Sequence, residues 1–228
     1  MAGGKRILIG TANPSKLPYL RGYFDGTDIE CLSPADLDIG SFDAPENGKT
    51  AEENAVEKAA AWYRVAKMPV LALDAGLLFL DLPDDDPDQP GVHVRRAAGH
   101  TMDDEEMLWW FAGVARRHGG RLCAAWQDSY CIMRTPDDFR TFTFTRRMLE
   151  PNAFIITDTP CEERLPGWPL NSISIDIPTG KYWLRMTDAD HAFSKARTPA
   201  KDGVRNDLAQ WIRTTAAELL DTATNILK

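Results

Sequence analysis

The sequence has no run approaching about eighteen consecutive apolar residues, the length a bilayer-crossing helix requires, so no transmembrane helix is expected. The apolar run within residues 5–10 is too short for a secretory leader, and no small-residue cleavage pattern follows it, which makes the cytoplasm the expected location. Cysteine is scarce: Cys31, Cys123, Cys131 and Cys161 are far apart and form no C-x-x-C pair. A chain of this length needs no disulfide staples, so reduced thiols are expected. The four histidines, His93, His100, His118 and His191, lack zinc-ligand spacing and read as structural or surface residues. Positive charge is in deficit, with 26 Lys and Arg against 34 Asp and Glu for a net charge of −8. Coating nucleic acid or an anionic membrane demands the opposite balance, so neither partner is expected, although one small basic pocket is compatible with it. Neither a Walker-type loop nor G-x-G-x-x-G is present.

What is there is enough apolar material, 43% of 228 residues, for a substantial core. K-R-I-L-I-G at residues 5–10 reads as a buried strand ended by glycine, opening an α/β unit. A helix from about Pro14 to Phe24 should follow, with Asn13 as N-cap and Pro18 weakening its interior. Ile29 to Leu37 reads as a short strand and loop, and Thr50 to Lys67 as an alanine-rich helix with charges spaced at three and four. Pro69 to Leu80 reads as two strands meeting at a tight bend, Asp74-Ala75-Gly76, which would expose Asp74. Asp81 to Gly91 is a proline-rich acidic loop in which Asp84, Asp85, Asp86 and Asp88 should be solvated. Asp103 to His118 has helical periodicity with an acidic first turn. Beyond Arg121 strands dominate, at Leu122 to Arg134, Phe139 to Met148, Ala153 to Thr157 and Ile173 to Ile177, as a largely antiparallel sheet. A helix from about Gly203 to Leu227 closes the chain.

Three segments carry chemistry-bearing residues. Thr11-Ala12-Asn13-Pro14-Ser15-Lys16 lies where strand turns to helix, so free N–H groups and the Lys16 charge would suit phosphate; the same residues also make an ordinary N-cap with a solvated lysine. Glu52-Glu53-Asn54-Ala55 opens the alanine-rich helix, where Thr50-x-x-Glu53 is also a capping box. Asp74 beside Gly76 is either a site carboxylate or a turn residue bonding its own backbone.

In this order and spacing the segments resemble the inosine triphosphate pyrophosphatase family, also called Ham-type. Thr11, Asn13 and Lys16 match its T-x-N-x-x-K, and Glu53, Asn54, Ala55, Lys58 and Ala59 match its E-N-A-x-x-K-A helix. Leu73-Asp74-Ala75-Gly76-Leu77, then Pro90-Gly91-Val92 and Arg96, partly match its acidic bend and P-G-V segment. Tyr19 stands where the family usually has glutamate, Leu73 replaces an acid and Ala75 a hydroxyl residue. Gly167-Trp168-Pro169-Leu170-Asn171 takes the place of an aromatic substrate loop, and Arg205 is the remnant of a C-terminal S-H-R.

The resemblance implies an α/β fold: one domain over 1–228 with a long twisted mixed sheet flanked by helices and two lobes around a nucleotide cleft. The lobes would be roughly 1–120 with 203–228, and 121–202. It implies a Mg²⁺-dependent hydrolase that releases pyrophosphate and monophosphate from nucleoside triphosphates, of inosine or xanthosine type or with a shifted base preference. Glu53 and Asp74 would hold the metal, with Asp74 and Lys16 catalytic. Thr11, Ala12, Asn13, Lys16, Ala75, Arg96, Trp168, Asn171 and Arg205 would contact substrate. Many relatives are homodimers, so a homodimer is implied. Two alternatives stay open: a nucleotide-binding protein without catalysis, and a phosphohydrolase of a nucleoside monophosphate or other phosphate ester.

Overall fold

A computed structural model describes residues 5–40, 42 and 44–225, and for residues 15 and 222–225 the backbone alone. In chain order the elements are β1 (Lys5–Ile9), α1 (Leu17–Gly22), β2 (Ile29–Leu32), α2 (Ala51–Ala66), β3 (Val70–Phe79), α3 (Asp104–Arg117), β4 (Arg121–Thr135), β5 (Asp138–Thr143), α4 (Arg146–Leu149), β6 (Phe154–Thr157), β7 (Ser174–Ile175), α5 (Asp188–Arg197) and α6 (Pro199–Asn225). They divide into two compact units, Met1–Ala75 with Asp128–Thr143 and Arg205–Lys228, and Gly76–Gln127 with Phe144–Val204. The boundaries fall inside β3 and β4, so 76–120, anticipated in the first lobe, lies in the second unit. Among the described residues no helix is long and apolar enough to cross a membrane.

In the first unit β1 lies between β2 and β3 and pairs with both in parallel, through Ile7↔Cys31 and Leu8↔Val70. Ile7, Leu8 and Ile9 are fully buried, as the unbroken apolar run of a strand covered on both faces requires. Behind them Ala55, Ala59 and Trp62 of α2 pack with Leu8, Val70 and Ala72, and with Cys131 and Met133 of β4. The small alanines let this helix approach the sheet closely. Gly10 makes room in the same way, since a Cβ there would sit 2.8 Å from both the Trp62 ring and Val70. The second unit is antiparallel: β6 pairs with the start of β4 (Leu122↔Ile156) and with β7 (Ile155↔Ile175). Leu108, Phe111 and Ala115 of α3 cover it, with Asp103 and Glu106 forming a capping box at the helix start. The first unit also holds the antiparallel pair β4–β5 (Tyr130↔Phe142), so parallel and antiparallel strands together make the sheet mixed, with helices flanking it, as expected.

Four expectations are corrected. Val70–Phe79 is one continuous strand, and Asp74 sits mid-strand with 6% of its surface exposed. Gly76 is there for close approach rather than for a turn: Leu77 N donates to Gly91 O at 2.9 Å, and a Cβ on Gly76 would lie 3.0 Å from that oxygen. The strand expected to reach Met148 ends at Thr143, because Arg146 turns away to bond Leu80 O and Asp84. The acidic loop is not solvated throughout: Asp88 binds Arg117 at 2.5 Å and His118 at 2.8 Å, which hold its carboxyl below the usual range against a partial opposing effect of burial. With Asp86 close by, the group ties the loop to the end of α3. The final helix starts at Pro199 rather than Gly203, and Thr187 and Asp190 cap a helix, α5, that the sequence reading lacked.

Candidate active site

β1 delivers the chain to Thr11, whose Oγ1 accepts from Asn13 N at 3.1 Å, while Lys16 N donates to Asn13 O and closes a single 3-10 turn, Pro14–Lys16. The α-helix that follows has only six residues, contains Pro18 in its first turn and has no side-chain cap bond. Its dipole is small, so the attraction of this corner for anions rests on the Lys16 charge and the loop amides.

α2 presents the opposite wall. Asn54, Lys58 and Trp62 recur every four residues and share one helix face. Asn54 Oδ1 accepts from Gly48 N at 2.8 Å and its Nδ2 donates to Asp74 Oδ2 at 3.0 Å. Lys58 Nζ donates to Asp74 Oδ1 at 2.5 Å and to Glu46 Oε1 at 2.7 Å, with only 14% of its side chain exposed. Glu53, by contrast, is turned to its own helix end: its Oε2 accepts from the backbone of Lys49 and Thr50, and Thr50 Oγ1 accepts from Glu53 N. The helix start is therefore a capping box, and exposed Glu53 is spent on it.

Between these walls lies a cavity of about 180 Å³ lined by Gly10, Thr11, Ala12, Asn13, Lys16, Phe42, Ala44, Glu46, Lys58, Trp62 and Leu73. Phe42 and Trp62 meet edge to face at 5.0 Å and form its apolar side. Burial lowers the Lys16 ammonium below the usual lysine range, and the Lys58 charge lowers it further, while Asp128, Asp74 and Glu46 oppose both. Burial acts against the Lys58 charge too, but Asp74 and Glu46 outweigh it and raise Lys58. Asp128, on β4, is pushed up to about 6, chiefly by burial. Two ammoniums and three carboxylates thus share one partly dry site, an arrangement suited to a polyanion bound with a hard cation.

The Asp128 shift has a measurable consequence. A carboxyl raised from 3.8 in the unfolded chain to about 6 in the folded one disfavours folding above about pH 6 and ceases to do so as pH falls below about 4. Asp128→Asn should therefore gain about 3 kcal/mol of unfolding free energy over the wild type at pH 7. Urea titrations at pH 7 and pH 4 check this; the gain should shrink at pH 4, and a loss at pH 7 would contradict the sign.

The structure brings Thr11, Ala12, Asn13 and Lys16 together on the cavity, and Asp74 joins them through Lys58. Ala75 follows Asp74 on β3, and Arg205 lies exposed on α6, outside the cavity lining. Arg96, Trp168 and Asn171 belong to the second unit, where Trp168 is half exposed and Asn171 lies in a 3-10 turn, Pro169–Ser172. Sequence reasoning gave no role to Glu46, Asn54, Lys58 or Asp128. Asn54 and Lys58 had a signal, their four-residue spacing on one helix face. Glu46 in an aperiodic loop and Asp128 within a strand had none.

A family model for the Ham1 family matches residues 7–147, and the chain belongs to that family. Among curated relatives, it is 37% identical over 104 residues to the dITP/XTP pyrophosphatase of Legionella pneumophila (strain Paris), covering 46% of this chain and 50% of that protein. It is 38% identical over 101 residues to the dITP/XTP pyrophosphatase of Thermoanaerobacter pseudethanolicus, covering 44% of this chain and 48% of the relative. The chain thus spans about half the length of the curated relatives it matches. Over the whole fold it is similar to the solved HAM1 protein from Coxiella burnetii, with a TM-score of 0.66 at 18% identity over 92% of this chain and 99% of that one. The Ham1 protein of Staphylococcus aureus gives 0.63 at 23% identity with the same coverage.

Proposed function

We propose that this chain is a Mg²⁺-dependent nucleoside triphosphate pyrophosphohydrolase acting on deoxyinosine- and xanthosine-type triphosphates, the substrates for which its relatives are named. The observation that carries the reading is Lys58 bridging Glu46 and Asp74 beside Lys16 on one cavity. The two carboxylates already converge on a cation, and their hard oxygens are the donors Mg²⁺ prefers, so the residues fit that ion. Glu46 and Asp74 would hold it, in place of the Glu53 and Asp74 pair that the motif alone suggested. When bound, the metal neutralises phosphate charge and acidifies water.

Lys16 and Lys58 bind the phosphate oxygens, with the Thr11–Asn13 backbone fixing their register. Asp74, oriented by Asn54 and Lys58, accepts a proton from the water that attacks the α-phosphorus. As the new oxygen–phosphorus bond forms, the bond to the bridging oxygen breaks, and its electron pair leaves on pyrophosphate beside the two ammoniums. Phe42 and Trp62 keep bulk water from that side of the cavity. A cytoplasmic homodimer accompanies this reading, and sedimentation of the purified chain tests the dimer.

The assignment of carboxylates separates cleanly by mutation. Glu46→Gln should lower kcat at least ~100-fold with little change in folding. Glu53→Ala should cost about 1 kcal/mol of stability through the lost cap and retain most of its turnover. Pyrophosphate release and urea midpoints on both variants check this, and the opposite pattern would return the metal to Glu53.

A further inference from the structure

Glu46 lies in a loop, residues 44–50, that belongs to neither helix nor strand, and such a loop can leave its N–H groups to water. This one does not. The backbone N–H groups of four successive residues, Asn47 to Thr50, all donate to side chains of α2. Lys49 N and Thr50 N reach Glu53 Oε2 at 2.6 and 3.3 Å, and these two bonds belong to the helix cap. The other two lie nearer Glu46 and are no part of a cap: Gly48 N donates to Asn54 Oδ1 at 2.8 Å and Asn47 N to Glu57 Oε2 at 3.0 Å. The loop is thereby strapped along the first two turns of the helix. Gly48 is buried, and a Cβ there would lie 2.6 Å from Glu53 Cβ and 2.8 Å from Asn54 Oδ1, so the strap lies closer to α2 than any other residue would permit.

Asn54 joins this strap to β3. It is 1% exposed, and the orientation of its amide is forced: Gly48 N only donates, so Oδ1 faces it, and the Asp74 carboxylate accepts, so Nδ2 faces that. Turning the amide over would mismatch both ends. One side chain thus ties the Glu46 loop to Asp74 by hydrogen bonds, while Lys58, one turn along the same helix, ties Glu46 to Asp74 by charge.

We infer that Gly48, Asn54 and Glu57 are positioning residues that hold Glu46 at one spacing from Asp74, so that the two carboxylates take a single divalent cation. This rests on reading Glu46 and Asp74 as the metal pair. An unstrapped Glu46 would have to be ordered each time an ion bound; the strap meets that cost when the chain folds. Loosening it therefore weakens the ion affinity of the folded protein, as the loss of groups that orient metal ligands does in general.

The test needs no turnover. Mn²⁺, which suits carboxylate ligands, is titrated into the nucleotide-free full chain and the free ion is counted by its paramagnetic resonance, with urea midpoints measured beside it. Asn54→Ala and Gly48→Ala should each weaken Mn²⁺ binding at least about tenfold under conditions where the chain is folded. Glu57→Ala should weaken it by roughly threefold, and Glu57→Gln, whose amide oxygen still accepts from Asn47 N, should recover most of that. A merely structural role would lower the urea midpoints and leave the affinity of the folded chain unchanged. That result overturns the inference, and Glu57→Ala with its Gln rescue decides it if the other two variants do not fold. Glu46→Gln separates this inference from the reading beneath it. Binding lost in Glu46→Gln but unchanged in the strap variants sinks the strap alone; binding unchanged in Glu46→Gln, or absent from the wild type, removes the metal pair and the strap's role together.

Discussion

Asp74→Asn is expected to lower kcat on a triphosphate by about a thousandfold while nucleotide binding stays close to wild type. Asparagine keeps the side chain's shape in mid-strand, and its carbonyl still accepts from Lys58, although the bond from Asn54 Nδ2 is lost. What it loses is the charge that draws a hard cation and the basicity that takes the proton of the attacking water. Binding survives because Lys16, Lys58 and the Thr11–Asn13 loop remain. Steady-state kinetics beside calorimetry with the same nucleotide separates the two effects. Unchanged turnover would remove Asp74 from the mechanism.

The second large effect is on stability. Lys58→Met removes the cation that bridges Glu46 and Asp74, whose side chain is only 9% exposed. Breaking one partner of such a pair is more destabilising than the pair itself is stabilising, and a loss of about 3 kcal/mol is expected. Lys58→Met/Asp74→Asn should recover more than half of it, because the stranded charge is removed. Mg²⁺ should raise the melting temperature of Lys58→Met more than that of wild type, where Lys58 competes for the same oxygens. Thermal melts of the three proteins with and without Mg²⁺ measure all of this; a Lys58→Met protein as stable as wild type would show that the two carboxylates do not share this lysine.

The parts of the molecule legible in the sequence are those written in local patterns. The strand 5–9 announces itself by an unbroken apolar run, and Thr50-x-x-Glu53 by capping spacing, which the structure realises in full. The Thr11 to Lys16 corner is legible because strand, turn and lysine follow within a dozen residues. Asp74 was legible as a motif residue but not as a strand residue, since Gly76 looks like turn chemistry until Gly91 is seen against it. Glu46 and Asp128 were not legible, because a lone carboxylate acquires meaning only from what it meets. Glu46 meets a lysine on the next helix, and Asp128 meets the hydroxyl of Tyr130, itself bonded to Tyr19 from 111 residues away in sequence. Tyr19, read alone, was only a missing glutamate.

The most direct test is hydrolysis of deoxyinosine and xanthosine triphosphates in H₂¹⁸O with Mg²⁺, separating the products by chromatography and weighing each by mass spectrometry. Attack at the α-phosphorus predicts one pyrophosphate per monophosphate, with ¹⁸O in the monophosphate alone and no label incorporated by Asp74→Asn. Label in pyrophosphate, release of orthophosphate, or no product from any triphosphate would contradict it.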